Sequence, residues 1–180
     1  MQEEIIAAMA QGTSDHIPRQ QALLKAFRDR NLPVIYVNVD FSKFPNGSVL
    51  EYGVLSKRAK SAMNPKMQVI PELAPQPGEP VLSNWIWGAF TNSGLEQELR
   101  ARGVGTLVLF GCAFHVVVYN ATVQAVDLWY PVIVPEDACV PTKKEITTPE
   151  MMKVREVFTN EMFPLLALVT TTNDVIAHLG

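Results

Sequence analysis

The chain has 180 residues, of which 48% are hydrophobic and 18% charged, and this size and composition fit one globular domain spanning residues 1–180. The 15 basic and 18 acidic residues give no excess of positive charge for nucleic acid, and no apolar run approaches the roughly 18 residues of a membrane span. No basic segment leading into an apolar one opens the sequence, so we expect a cytoplasmic protein that binds neither nucleic acid nor membrane.

The cysteine and histidine content disfavours a metal site. Cys112 and Cys139 are too few for a four-thiolate zinc site, and His16, His115 and His178 lie far apart in the sequence without a metal-ligand spacing. We therefore expect no metal and no cofactor.

Helix-like and strand-like segments alternate from Asp15 onward, which is typical of an α/β domain with a mainly parallel sheet. Asp15 is the expected N-cap of a first helix that Asn31 and Pro33 end, and the β-branched segment 34–39 follows as a strand. Residues 41–80 contain six of the 13 prolines and are predicted to have little regular structure. Long loops of this kind are often functional.

A short strand near residues 81–82 and an aromatic segment, 85–90, come next. They are followed by a helix from about Leu95 to Arg102, which Gly103 ends.

A strand, helix and strand crossover is the clearest unit of the sequence. The apolar run 106–110 (TLVLF) predicts a buried parallel strand, a helix is predicted from about 115 to 129, and 132–134 predicts the second strand. The remaining predicted elements are a helix opened by Thr148 and Pro149, a strand at 166–169 and a last helix over 173–179 capped by Thr172.

Ligands of parallel sheets bind beyond the carboxyl ends of the strands. Three stretches are predicted to meet there, namely the residues after Val39, the segment 84–90 and the turn 111–117. The residues expected to line a small-molecule pocket are Asp40, Trp85, Trp87, Phe114 and His115. The aromatic members of this set fit a core or a subunit interface equally well.

Four segments are spaced as in a known protein family: 32–37 (LPVIYV), 87–103 (beginning WGAF and ending LRARG), 106–111 (TLVLFG) and 130–139 (YPVIVPEDAC). In this order they resemble the isochorismatase-like cysteine hydrolase superfamily, which includes isochorismatases, nicotinamidases and N-carbamoylsarcosine amidases. The resemblance implies a three-layer, Rossmann-like α/β fold with a six-stranded, mainly parallel sheet and helices on both faces. It also implies a homo-oligomer, either a dimer or a tetramer.

The family's chemistry uses a cysteine nucleophile, a lysine and an aspartate. The resemblance puts the cysteine position at Val117, six residues after Gly111, and the lysine position at Asn84, four residues before Gly88. Valine cannot act as a nucleophile, and asparagine carries no charge. The aspartate ends the family's first strand, and the residues from Met1 resemble those that follow it. We therefore expect this strand and its aspartate to be missing, through a mis-set start or a truncated gene.

Two weaker catalytic candidates lie near the expected site. Cys112 precedes a helix, which can lower a thiol pKa, and His115 follows three residues later, so a relocated Cys/His pair is one hypothesis. The alternatives are a small buried position for Cys112 and a surface or packing role for His115. Cys139 is interpreted as a small buried residue. The basic group Lys57, Arg58 and Lys60 fits either an anionic ligand or a solvated loop.

Three hypotheses about function follow. The first is an isochorismatase-family protein whose triad is not intact, and which acts as a pseudoenzyme or binds a small molecule. The second is an active hydrolase on a small amide, carbamoyl or isochorismate-like substrate, with water activated by Asp40 or by the missing aspartate. The third is the product of a decaying gene that folds poorly.

Overall fold

The computed structural model describes residues 15–40, 68–84, 87–141 and 148–179. The α-helices in these ranges are α1 (His16–Asp29), α2 (Leu95–Ala101), α3 (Tyr119–Asp127), α4 (Pro149–Val157) and α5 (Thr172–His178). The strands in these ranges are β1 (Tyr36–Val39), β2 (Val81–Asn84), β3 (Leu107–Val108), β4 (Val132–Pro135) and β5 (Leu168–Thr170).

All strand pairs in the described residues are parallel. β1 pairs with β2, and β4 lies between β3 and β5. The β3, α3 and β4 segments form the predicted crossover, with Leu107 opposite Val132. The predicted α/β fold with a parallel sheet is thus confirmed. Because the strands of a pair point the same way, their carboxyl ends lie at one edge and the loops that follow them meet there.

The helix predicted at 115–129 has a different opening. It begins with a π-helical turn, Phe114–Val118, and its regular part ends at Asp127. The amides of Val117 and Val118 both donate to the carbonyl oxygen of Ala113, at 2.9 and 3.2 Å. Three consecutive β-branched valines crowd the first turn, which disfavours regular α-helical packing there.

The last strand is shifted relative to its prediction at 166–169. It is formed by Leu168–Thr170, because the helical segment that precedes it ends only with a 3₁₀ turn at Phe163–Leu165.

One of the two predicted helix caps is confirmed and the other is wrong. Asp15 is the N-cap residue of α1, as predicted, although its side chain makes no capping hydrogen bond. α5 is capped by Thr171 rather than Thr172: Thr171 Oγ1 accepts from the Asp174 amide at 3.2 Å, and Asp174 Oδ2 accepts from the Thr171 amide at 3.3 Å. The amide and hydroxyl of Thr172 instead donate to Asp137 Oδ1, at 2.7 and 2.9 Å. The side chain of Thr172 is therefore used for a contact between distant segments.

One apolar core is shared by the two sheets. Phe114 and Phe163 are fully buried, and their rings stack with centroids 4.7 Å apart. Val37 of β1 and Leu82 of β2 pack against the same cluster. Burying one such large apolar side chain contributes about 1.5–3 kcal/mol, so this core holds the strand ends in a fixed relation.

Several sequence predictions fall on residues outside the described ranges: those for Met1, Trp85 and the basic group Lys57, Arg58 and Lys60. No helix within the described ranges is long and apolar enough to cross a membrane.

Candidate functional site

The carboxyl ends of β1 and β2 bring Asp40 next to Asn84. The Asp40 amide donates to the Asn84 carbonyl oxygen at 2.8 Å, which extends the β1–β2 ladder by one bond. Asp40 is partly buried. A carboxylate therefore lies beside the residue predicted to stand at the family's lysine position, at the edge where α/β proteins bind ligands.

Asn84 is buried, with 2% of its surface exposed, and its Nδ2 donates to the carbonyl oxygen of Gly88 at 2.8 Å. A carbonyl oxygen only accepts hydrogen bonds, so this contact fixes the orientation of the amide. The other side-chain atom, Oδ1, is buried and has no hydrogen-bond partner within the described residues. The side chain is uncharged, and one of its two N–H donors is already used inside the protein.

The loop after β2 is fastened to α3 by Gln124. Gln124 Oε1 accepts from the Phe90 amide at 3.1 Å, and Nε2 donates to Thr91 Oγ1 at 2.7 Å. A Cβ added at Gly88 would lie 2.5 Å from Thr91 Oγ1 and 2.7 Å from Gln124 Nε2, so this position favours glycine. The adjacent Trp87 is 38% exposed. The sequence did not indicate Gln124, because one polar residue in a helix has no recognisable pattern.

The turn after β3 is fastened to the end of β4. Cys112 pairs with Val140 in a single parallel bridge, the Phe114 amide donates to the Val140 carbonyl at 3.1 Å, and the Val140 amide donates to the Gly111 carbonyl at 2.8 Å. The backbone that precedes the π-helical turn is therefore held on the side of β4.

Val117, the residue predicted to stand at the family's cysteine position, lies partly buried in this π-helical turn. Its aliphatic side chain has no atom that can attack a carbonyl carbon or exchange a proton. The hydrogen bonds of the described residues connect Val117 to Ala113 and Asn84 to Gly88, and none joins Val117 directly to Asn84.

The two thiols have different surroundings. Cys139 is fully buried, and burial raises its pKa to about 12, although the Gly111 backbone and the charge of Arg155 oppose the rise. Its Sγ donates to the Pro135 carbonyl at 3.4 Å. Cys139 is thus a packing residue, as interpreted from the sequence. Cys112 is partly exposed.

Phe114 and His115 begin the helix after β3 but differ in environment. Phe114 is fully buried in the core, which favours its core interpretation over a pocket-lining one. The His115 ring is partly exposed and lies edge-on to Phe158, with centroids 5.8 Å apart. The guanidinium carbon of Arg155 lies 4.8 Å from the centre of the Phe114 ring. Nothing in the sequence pattern indicated Arg155, since its partners are distant along the chain.

A cleft of about 280 Å³ lies at the opposite edge of β1 and β2, where the chain enters both strands. Its wall includes Arg28, whose Nε and Nη2 donate to the two carboxylate oxygens of Glu79 at 2.7 and 2.8 Å. Burial acts to raise the pKa of Glu79, but the hydrogen bonds from Arg28 and from the Gln76 amide outweigh it, so the pKa lies below its usual value. This charge pair is internally satisfied. Within the described ranges no three His, Cys, Asp or Glu side chains are grouped as metal ligands would be.

Comparison with known proteins agrees with the resemblance in the sequence. The isochorismatase domain model matches residues 1–174. The chain is 26% identical over 176 residues to the isochorismatase family protein YecD of Escherichia coli O157:H7, covering 93% of this chain and 85% of that protein. A shorter match, 28% identical over 123 residues, joins 68% of this chain to 65% of the isochorismatase family protein YwoC of Bacillus subtilis.

Solved structures give the same result. An isochorismatase family protein from Burkholderia thailandensis is 30% identical with a TM-score of 0.82, covering 98% of this chain and 90% of that one. The N-carbamoylsarcosine amidase from Thermoplasma acidophilum is 25% identical with a TM-score of 0.69, covering 88% of this chain and 83% of that one.

Proposed function

This chain belongs to the isochorismatase family, and we propose that it is a hydrolase-like member that no longer catalyses hydrolysis through a cysteine nucleophile and instead binds a small molecule. The binding site in this proposal is the carboxyl edge of the strands, near Asp40, Asn84 and His115. The proposal treats residues 1–180 as one domain.

The observation that carries the proposal is the identity of Val117. The covalent step of the family needs a thiolate within reach of an amide or related carbon, and a valine side chain has neither a lone pair nor a proton to transfer. Backbone amides at a helix start can still stabilise an oxyanion, but without an attacking group there is no tetrahedral intermediate to stabilise.

The environment of Asn84 supports the same proposal. A lysine at this position would supply a positive charge, whereas the Asn84 amide is neutral and donates to Gly88 inside the protein. Two different chemical roles, the nucleophile and the positive charge, are thus replaced in one site. A replacement at either position alone would already slow the family reaction by orders of magnitude.

An assay with amides, carbamoyl compounds and isochorismate tests the proposal. We expect no turnover above buffer, with an intact-triad member of the family as the positive control. Turnover that co-purifies with this protein and is lost on its denaturation would overturn the pseudoenzyme assignment. Thermal shifts with the same compounds report binding separately from catalysis.

A second candidate function is hydrolysis by activated water. The position of Asp40 beside Asn84 favours it, because a carboxylate at the strand edge can act as a general base. On this alternative, Asp40→Asn would lower any measured turnover by about 10²–10⁴-fold while leaving the fold intact. Turnover unchanged by Asp40→Asn would exclude Asp40 as the base.

We further propose that the protein is a cytoplasmic homo-oligomer. Large apolar side chains are exposed in the single chain, including Trp129 at 93%, Leu165 at 78% and Leu168 at 63%. Such side chains are favourable at subunit interfaces. Light scattering during size-exclusion chromatography should give a dimer or tetramer mass, and a monomer mass at high concentration would contradict this part of the proposal.

A further inference from the structure

The segment from α4 to the following π-helical turn, Phe158–Met162, packs on the start of the helix after β3. Phe158 contacts Tyr119 edge-on with ring centroids 4.9 Å apart, and its contact with His115 is described above. One turn earlier, Arg155 reaches the same place and lies over the Phe114 ring. The segment thereby brings a positive charge to the start of the helix that the family uses for chemistry.

The guanidinium of Arg155 is not paired in the way of four of the other described arginines. Its Nη1 is buried and has no hydrogen-bond partner within the described residues. In contrast, a carboxylate pairs with each of four other arginines: Arg19, Arg28, Arg100 and Arg102. A guanidinium stays charged and has five N–H donors, so a buried donor without an acceptor is unfavourable.

The charge of Arg155 also acts at Cys139, in the segment after β4. It is one of the influences that oppose the burial-driven rise of the Cys139 pKa, and Cys139 precedes Val140, which is hydrogen-bonded to Gly111. Arg155 therefore lies within electrostatic range of the turn between β3 and the π-helical turn. Nη1 itself is closed to solvent, but the residue as a whole is only partly buried, so a ligand would reach the guanidinium through Nε and Nη2.

We propose that Arg155 binds the carboxylate of a small molecule at the start of the helix after β3, with aromatic side chains around it contacting the apolar part of that molecule. This inference rests on the proposed binding function and names its ligand class. A carboxylate matches the planar fork and neutralises one charge. A phosphate would bring a second negative charge to a place with aromatic rings on several sides, where desolvation is costly.

The experiment compares benzoate with benzamide, its neutral analogue of nearly the same shape, by titration calorimetry. We expect the wild-type protein to bind benzoate at least about tenfold more tightly than benzamide, since hydrogen bonds to charged groups are the stronger ones. Arg155→Met should weaken benzoate binding by about tenfold to a hundredfold and leave benzamide binding unchanged. Lys153→Met, on the exposed side of the same helix, is the matched control and should bind as the wild type does.

A folding readout separates recognition from a structural role. Arg155→Met removes a buried donor without an acceptor, so its melting temperature should equal or exceed that of the wild type. A large loss of melting temperature would mean that Arg155 has a structural role. Benzoate binding to Arg155→Lys would then be measured, because this variant keeps the positive charge but lacks the planar guanidinium.

Three results would overturn the inference: no benzoate binding to the wild type, benzoate binding that persists in Arg155→Met, or inorganic phosphate displacing benzoate at lower concentration than benzoate itself needs. Binding of benzamide equal to that of benzoate would refute the role of Arg155 while leaving a small-molecule site in place. Failure of the proposed function shows separately, as turnover in the hydrolysis assay.

Discussion

Asn84 donates from Nδ2 to the carbonyl oxygen of Gly88 at 2.8 Å, and this bond joins the end of β2 to the loop that follows it. At the position predicted for the family's lysine, the protein thus has a neutral amide with a local partner. The same loop is held a second time by Gln124 of α3. The end of β2 and the loop that follows it are therefore held by hydrogen bonds within the protein.

Asn84→Asp should destabilise the protein by about 3 kcal/mol, because a buried carboxylate would face the Gly88 carbonyl without a donor. Asn84→Ala should cost about 1–2 kcal/mol, the value of one hydrogen bond and a partner left unsatisfied. Urea unfolding monitored by circular dichroism measures both. Asn160→Asp, on an exposed position, is the control and should change stability by less than about 0.5 kcal/mol. Equal effects of the two Asn→Asp changes would contradict the described environment of Asn84.

Gly88→Ala should destabilise the protein by about 1–3 kcal/mol, since the new Cβ would displace Thr91 and Gln124 from their hydrogen bond. In a Gln124→Ala background the same change should destabilise the protein less, because one of the two opposing side chains is gone. A double-mutant cycle in urea measures this coupling. Gly105→Ala, where a Cβ would meet nothing within 4 Å, should be close to neutral. If the losses of stability from Gly88→Ala and Gln124→Ala were simply additive, a Cβ at position 88 would not contact Gln124.

The two cysteines should differ in reactivity with a thiol reagent such as DTNB. At pH 8, a thiol with a pKa of about 12 is ionised in about one molecule in ten thousand, and Cys139 is also inaccessible. The native protein should therefore release one equivalent of product, from Cys112, and a second only in guanidinium chloride. Cys112→Ala should abolish the native reaction and Cys139→Ala should leave it unchanged. Two fast equivalents from the folded protein would contradict the burial of Cys139.

Glu79→Gln should lower stability at pH 7 by about 1–3 kcal/mol, because Arg28 and Glu79 are only 22% and 12% exposed and the change leaves a poorly matched charge. The folded pKa of Glu79 lies below its unfolded value of about 4.3. Its contribution is therefore present above that pH and disappears as the pH falls through the folded pKa.

Stability of the wild type and of Glu79→Gln, measured from pH 7 to pH 3, should converge at the acid end. Asp29→Asn is the control, because the Lys25–Asp29 pair is exposed on both sides, at 76% and 53%, and should contribute less than about 0.5 kcal/mol. A constant difference between wild type and Glu79→Gln across this range would refute the linkage.

Much of the fold follows from local features of the sequence. The apolar run before Gly111 predicts a buried parallel strand, and Pro149 marks the first turn of α4. Gly103 ends α2 with φ at +65°, a conformation that glycine adopts without strain. These are short-range effects of side-chain shape and backbone freedom, and so the residue types alone determine them. The family also follows from the sequence, because its sequence blocks keep a fixed spacing. Asn84 and Val117 as the family's lysine and cysteine positions stay predictions from the same spacing.

Only the tertiary structure decided what the side chains at the strand edge touch. How helices pack on strands determines the orientation of the Asn84 amide and the hydrogen bond from the loop after β2 to Gln124. It also determines the contact of Arg155 with Phe114. The capping of α5 by Thr171 instead of the predicted Thr172 has the same origin, because the Thr172 hydroxyl donates to Asp137, in the segment after β4. Hydrogen bonds and ring contacts between distant segments form only when the core has placed those segments together, and no local pattern of residues encodes them.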